Sequence, residues 1–223
     1  MSLEREHRAS AVAMRAALLT ETVPPATFRA ALLRVPRDRR DAWLDLVLDT
    51  EDIPPDDADL PPGCAPYLPC SVDALLEMID QARIGCDDVF VDVGAGLGRA
   101  AILTRLLTGA AAIGVEIQAR LVSEARQRVA ALGVSRLAVV HGDATRLTGF
   151  LPIGSVFFLY CPFTGDRFEK VLDALETLAR TKPIRVCCVA LPPPQRPWLA
   201  PIAEPRGELA VYRSTLLDGV TTE

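Results

Sequence analysis

The sequence predicts an α/β fold: a doubly wound, mostly parallel seven-strand sheet with a C-terminal antiparallel hairpin and an N-terminal helical extension. Three observations carry this. From Val72 onward, short apolar strands alternate with amphipathic helical stretches, the pattern of a parallel sheet covered on both faces. A glycine-rich turn, Gly94-Ala95-Gly96-Leu97-Gly98, follows the first of these strands and opens a helix, as in folds that bind a nucleotide-like ligand. The alternation then stops at Pro192, Pro193, Pro194 and Pro197, which exclude a helix there.

The elements follow in order. Residues 1–60 read as a helical extension, with amphipathic stretches over Leu3–Leu19, Ala26–Leu33 and Asp38–Leu48, punctuated by Pro24-Pro25 and Pro36. Residues 61–223 read as the main domain. Residues 54–70, rich in proline with Gly63, form an irregular connector across this boundary. Val72–Arg83 is a helix with Leu75, Leu76, Met78 and Ile79 on one side. Strands are expected at Val89–Val93, Ala112–Val115, Leu137–Val140, Val156–Tyr160 and Ile184–Leu191. Helices lie between them: from the glycine turn to Thr108, over Gln118–Leu132 (stopped by Gly133) and over Gly165–Arg180. Trp198–Ala203 and Glu208–Ser214 form the hairpin around a Glu204–Gly207 turn.

Composition narrows the function classes. A net charge of −5, with Lys170 and Lys182 as the only lysines, speaks against a broad basic surface for nucleic acid. No apolar run is long enough for a membrane span. Glu4, Arg5, Glu6, Arg8 and Arg15 interrupt the first twenty residues, which predicts no secretory leader and a cytoplasmic protein with reduced thiols. Of the six cysteines, Cys187 and Cys188 read as core residues, while Cys64 and Cys70 flank a proline-rich turn. With no CxxC pair and only His7 and His141 as histidines, no metal site is expected. The basic cluster Arg34, Arg37, Arg39, Arg40 and the acidic cluster Asp45, Asp49, Glu51, Asp52, Asp56, Asp57, Asp59 read as solvated surface.

Four features bear chemistry. The glycine turn, entered from Asp92, has G-x-G-x-G spacing with Arg99 next. That differs from the G-x-G-x-x-G of dinucleotide binders and lacks the Gly-Lys-Ser/Thr of a phosphate loop. Glu116 ends the second strand, where a carboxylate can accept hydrogen bonds from both ribose hydroxyls. His141-Gly142-Asp143-Ala144 follows the third strand, with Asp143 able to accept an adenine amino group. Tyr160-Cys161-Pro162-Phe163 ends the fourth. All four lie at carboxyl ends of strands, the edge where open parallel sheets bind ligands.

With VDVGAGLG, GVE, HGDA and LYCPF in this order, the chain resembles class I, seven-strand S-adenosylmethionine-dependent methyltransferases over roughly residues 70–215. The resemblance implies S-adenosylmethionine as cofactor and methyl transfer to an unidentified acceptor; the acidic chain and the aromatic residues at the fourth strand end favour a small molecule over a protein side chain. It places Gly94, Ala95, Gly96 and Gly98 against the methionine end and Asp92 orienting that end. Glu116 falls on the ribose, Asp143 and Ala144 at the adenine edge, and Leu97 and Ile117 in apolar contact with the cofactor. Tyr160 and Phe163 line the acceptor pocket, and Tyr67 closes the site. The blocks SVDALLEMIDQARIGCDDVFVDVGAGLGR and FFLYCPFTGDRFEKVLDAL are similar to bacterial relatives of the non-SET histone-lysine methyltransferases. Pro69 stands where those enzymes carry a cofactor-holding acid, and Tyr160 where amine methyltransferases of the Asn-Pro-Pro-Tyr kind carry an amide or acid. Two alternatives remain at this level: a non-catalytic S-adenosylmethionine-binding or interaction protein, and an NAD-dependent oxidoreductase. His141 and Tyr160 are the candidate bases. Residues 1–60 could serve as lid, homodimer contact or packing element.

Overall fold

The computed structural model describes residues 3–20, 22–146, 151–191 and 195–215. Pro192, Pro193 and Pro194, which carry the break in alternation, lie outside the described residues. Three helices come first: α1 (Leu3–Thr20), α2 (Pro25–Arg34) and α3 (Arg40–Leu48), with a single 3-10 turn (Arg37–Arg39) before α3. Pro24 caps α2 and Pro25 opens it, where a missing N–H leaves no helical bond unmade. The third helix starts two residues later than its apolar pattern suggests. Asp49, at φ 61°, ends it.

The main domain then reads α4 (Val72–Ala82), β1 (Val89–Val93), α5 (Arg99–Thr108), β2 (Ala111–Glu116), α6 (Ala119–Ala131), β3 (Leu137–His141), β4 (Val156–Tyr160), α7 (Asp166–Ala179), β5 (Arg185–Val189), β6 (Leu199–Pro201) and β7 (Leu209–Ser214). Ser71 caps α4, its hydroxyl accepting from the Ala74 N–H at 3.3 Å. The seven strands form one sheet in the order β3-β2-β1-β4-β5-β7-β6. The first five are mutually parallel, while β7 runs antiparallel to β5 and pairs with β6 as the expected hairpin. β6 is shorter than its apolar pattern, because beyond Pro201 only the Ile202 N–H to Val211 carbonyl bond continues the pairing.

Alternate residues of each strand feed opposite cores. Phe90, Phe158, Cys187 and Val211 face α4 and α5, and this core continues outward through Phe28, Leu32, Trp43 and Leu44 of α2 and α3. Phe28 and Trp43 meet edge to face at 5.8 Å between centroids. Phe157, Leu159, Cys188 and Ala210 face α7 through Leu172 and Leu175. The N-terminal helices thus share a continuous apolar core with the sheet.

An ion cluster reinforces that junction. Arg99, the first residue of α5, is 3% exposed. Its guanidinium donates to Asp41 at 2.7 Å, to Asp45 and, through Nε, to the Cys70 carbonyl at 3.2 Å. Asp41 also accepts from the Val72 N–H, and Asp45 from the Thr50 hydroxyl. Asp45 is therefore a structural partner and not part of a solvated acidic face, which corrects the surface reading of that residue. Arg40 of the basic cluster is likewise engaged, with Asp73 at 2.6 Å, whereas Arg34, Arg37 and Arg39 are exposed. A buried guanidinium needs such partners, and removing them would leave an uncompensated charge. All six cysteines are free thiols.

A candidate cofactor cleft at the sheet edge

Parallel pairing brings the carboxyl ends of β1, β2, β3 and β4 side by side. Against them lies a cavity of about 450 Å³, in the size range of cofactor sites. Of the residues picked out in the sequence, Tyr67, Gly94, Glu116, Ile117, Asp143, Ala144, Tyr160 and Phe163 line it. Asp92, Ala95, Gly96, Leu97 and Gly98 are not on its wall. Leu97 is fully buried, and Asp92 is 3% exposed.

The glycine turn is shaped by close approach. Gly94, Gly96 and Gly98 all have positive φ, at 85°, 52° and 77°. A Cβ on Gly94 would lie 2.5 Å from the Pro162 side chain, and one on Gly96 would lie 2.1 Å from the Tyr67 ring. Only glycine fits either place. Four amides of this turn are already committed. Gly94 and Ala95 donate to the Val115 carbonyl at 2.9 and 3.0 Å, Gly98 to the Ala95 carbonyl at 2.8 Å, and Gly96 to Glu116 Oε2 at 2.8 Å.

Glu116 is buried and receives a second backbone bond on Oε1 from the Gln118 N–H at 2.8 Å. Burial raises its pKa, and the N–H groups of Gln118, Gly96 and Ile117 pull it back. Asp92 is pushed up to about 7, chiefly by burial; the Ala101 backbone N–H opposes the rise and the Glu116 charge adds to it. Asp143 shows the reverse balance. Burial raises its pKa, but the Thr145 hydroxyl and N–H, with Arg167, hold it below the ordinary value. These donors reach Oδ1 at 2.8, 3.0 and 3.0 Å. His141 is exposed and places Nε2 3.0 Å from the Ile117 carbonyl. A carbonyl only accepts, so Nε2 carries the proton and the ring bridges two loops.

The connector does more than join the two regions. Leu60, Cys64, Ala65, Pro66, Tyr67 and Leu68 form one side of the cavity. On the β4 side, the Ala65 N–H donates to the Pro162 carbonyl at 3.1 Å, the Thr164 N–H to the Gly63 carbonyl at 2.9 Å, and Arg167 Nε to the Pro62 carbonyl at 3.2 Å. On the β2 side, the Asp57 N–H donates to Gln118 Oε1, and Gln118 Nε2 to Asp56 Oδ1, both at 2.8 Å. Asp56 Oδ1 also accepts from the Tyr67 N–H at 2.9 Å. The segment is a strap across the cavity. Gln118 and Arg167, its two side-chain anchors, carry no motif in the sequence. Their positions just past the Glu116 and Phe163 motifs are the only local signal.

At the far end, Tyr160 is half-buried. Its pKa is raised by burial and by the neighbouring Cys70, Glu208 and Cys161. Cys161 and Ala190, which follow β4 and β5, line the cavity with positive φ, at 41° and 53°. Such backbone in non-glycine residues is uncommon and concentrates at functional sites. Among the described residues, no group of three or more His, Cys, Asp or Glu is placed to hold a metal ion, and no helix is long and apolar enough to cross a membrane.

Comparison with known proteins agrees with this geometry. The family model for protein-L-isoaspartate(D-aspartate) O-methyltransferase matches residues 64–152, from the strap past β3. No curated protein sequence matches the chain. Among solved structures, the Escherichia coli protein yhhF, described as a methyltransferase, superposes with a TM-score of 0.56 at 19% identity, covering 73% of this chain and 91% of its own. An RNA methyltransferase from Salinibacter ruber, in complex with S-adenosyl-L-homocysteine, gives 0.48 at 23% identity, covering 67% and 94%. With the strand order, the terminal hairpin and the glycine turn at the β1 end, the chain has the fold of the class I S-adenosylmethionine-dependent methyltransferases.

Proposed function

We propose that the chain binds S-adenosylmethionine in this cleft and transfers its methyl group to a small-molecule acceptor. The observation that carries the reading is the state of the glycine turn. A dinucleotide site presents free N–H groups to a pyrophosphate at the helix N-terminus. Here the amides of Gly94, Ala95, Gly96 and Gly98 are spent within the protein, and Glu116 occupies the one at the centre. The turn, with two acids beside it, opposes a pyrophosphate. It suits a ligand that is zwitterionic at one end and carries a ribose at the other. The NAD-dependent reading is disfavoured on the same ground.

The residues fit that group. The Glu116 oxygens accept from the Gly96 and Gln118 N–H groups, and a carboxylate has about four lone-pair sites, so capacity is left for a ribose hydroxyl. The three donors on Asp143 all act on Oδ1, which leaves Oδ2 to accept from an adenine amino group. Ile117 and Ala144 supply apolar wall on either side. When bound, S-adenosylmethionine supplies an electrophilic methyl on a sulfonium. The task left to the chain is to align the acceptor and exclude water. Tyr160 and Phe163 shape the acceptor end, and the strap supports a small acceptor by covering the cleft. The closer likeness to the histone-lysine enzymes rests on the two sequence blocks alone. The test is calorimetric titration of S-adenosylhomocysteine into the purified protein, with NAD as control. Saturable binding of the first and none of the second is expected. NAD binding would overturn the assignment. Binding without turnover on a broad acceptor panel would leave a non-catalytic binder.

A further inference from the structure

A second cavity, of about 260 Å³, opens between the end of β5 and the hairpin, with Leu191, Pro205, Gly207 and Glu208 on its wall. Ala190 lines both this cavity and the cofactor cleft, so the two meet at one residue. Sheet pairing explains the meeting. Tyr160, Val189 and Leu209 share one row across β4, β5 and β7. One residue further on, the Ala190 N–H donates to the Glu208 carbonyl at 3.1 Å. The left-handed backbone at Cys161 and Ala190 turns the ends of β4 and β5 at this junction, and Tyr160 stands beside it.

The charge balance of the two adjacent cavities is one-sided. Their carboxyl and guanidinium side chains are Glu116, Asp143, Arg167 and Glu208. Arg167 and Asp143 pair at 3.0 Å and cancel. Glu116 is buried and bound to the glycine turn. Glu208 is exposed, and among the described residues its carboxylate has no hydrogen bond or ion pair. Arg206, two residues away, reaches Glu77 instead, at 3.5 Å. One uncommitted carboxylate thus lines the second cavity, with the rings of Tyr160 and Phe163 on the wall of the cofactor cleft that shares Ala190 with it.

We propose that this second cavity is the acceptor's subsite, and that Glu208 selects an acceptor bearing a primary amine on an apolar body. A carboxylate favours an ammonium group by charge-assisted hydrogen bonding, and aromatic rings favour the same cation. The amine reacts after losing its proton to water: its lone pair forms the N–C bond to the methyl carbon, and the C–S electron pair leaves with sulfur. A neutral amine and a sulfonium become a methylammonium and a thioether, so charge is conserved. The inference rests on the methyltransferase reading for its chemistry but not for its binding site.

The test uses benzylamine, benzyl alcohol and benzoate as probes, titrated calorimetrically into the full chain with and without saturating S-adenosylhomocysteine. Benzylamine should bind saturably and the other two at least about tenfold more weakly; Glu208→Gln should weaken benzylamine by about tenfold. Glu208→Lys should turn the preference toward benzoate, and both variants should keep the parent's affinity for S-adenosylhomocysteine. No benzylamine binding, equal binding of all three probes, or indifference to Glu208→Gln would each overturn the proposal. If S-adenosylhomocysteine fails to bind while benzylamine still responds to Glu208, the cofactor assignment falls and the amine subsite stands.

Discussion

Asp92→Asn should stabilise the protein at neutral pH and lose that advantage in acid. The carboxyl lies at the heart of the sheet, 3% exposed, with its pKa pushed up to about 7 from an ordinary 3.8. Below pH 4 the group is protonated in both the folded and the unfolded chain and contributes nothing to the difference. Between pH 4 and 7 the unfolded chain ionises while the folded one keeps its proton, so each pH unit subtracts about 1.4 kcal/mol from stability. Above pH 7 both states are ionised and the penalty levels off at roughly 4 kcal/mol. Asparagine has nearly the same shape and does not titrate. Urea unfolding of both proteins at pH 4, 5.5, 7 and 8 measures the effect. The stability of Asp92→Asn minus that of the parent should rise with pH and flatten above 7. A difference independent of pH would mean that the carboxyl ionises as it does in water, and would refute the account of a desolvated acid under the glycine turn.

Three further predictions follow from named contacts. Glu116→Ala leaves the Gly96 and Gln118 N–H groups without their acceptor; it should destabilise the fold by about 2–5 kcal/mol and weaken S-adenosylhomocysteine about 10- to 150-fold. Parent-like binding by calorimetry would remove Glu116 from the ribose site. Arg99→Met abolishes the junction with Asp41, Asp45 and the Cys70 carbonyl; denaturant unfolding should show a loss of about 3 kcal/mol, and limited proteolysis should cut between residues 37 and 70 sooner than in the parent. Arg167→Met frees the Pro62 carbonyl and Asp143; hydrogen exchange at the Ala65 and Thr164 amides should accelerate about tenfold, and exchange unchanged from the parent would show that the strap is held without it.

What the sequence discloses depends on the range of the interaction. β1 and β4 match their apolar runs residue for residue, because a strand buried on both faces is written as a contiguous block. Glu116 and Asp143 are legible because strand ends in a parallel sheet fall on one edge. The clamp on Arg99 is not, since its partners lie 54 and 58 residues away in a helix whose acids look like ordinary surface. The strap is not legible either. Prolines and glycines announce the absence of helix and strand but do not say what the backbone N–H groups of Asp57 and Ala65 will meet. The same applies to the turn itself. Its glycines predict close approach, but the partners, Pro162 and Tyr67, come from distant segments.

The strap has a consequence for how the cleft wall is held. Its bonds to Pro162, Thr164, Arg167 and Gln118 tie it to the segments that follow both β2 and β4. The wall keeps its place only while both of those segments keep theirs, so disorder in either is felt by the other across the cleft. A substitution of the Gln118 or Asp56 side chain loosens that tie while leaving the carboxylates of Glu116 and Asp143 in place.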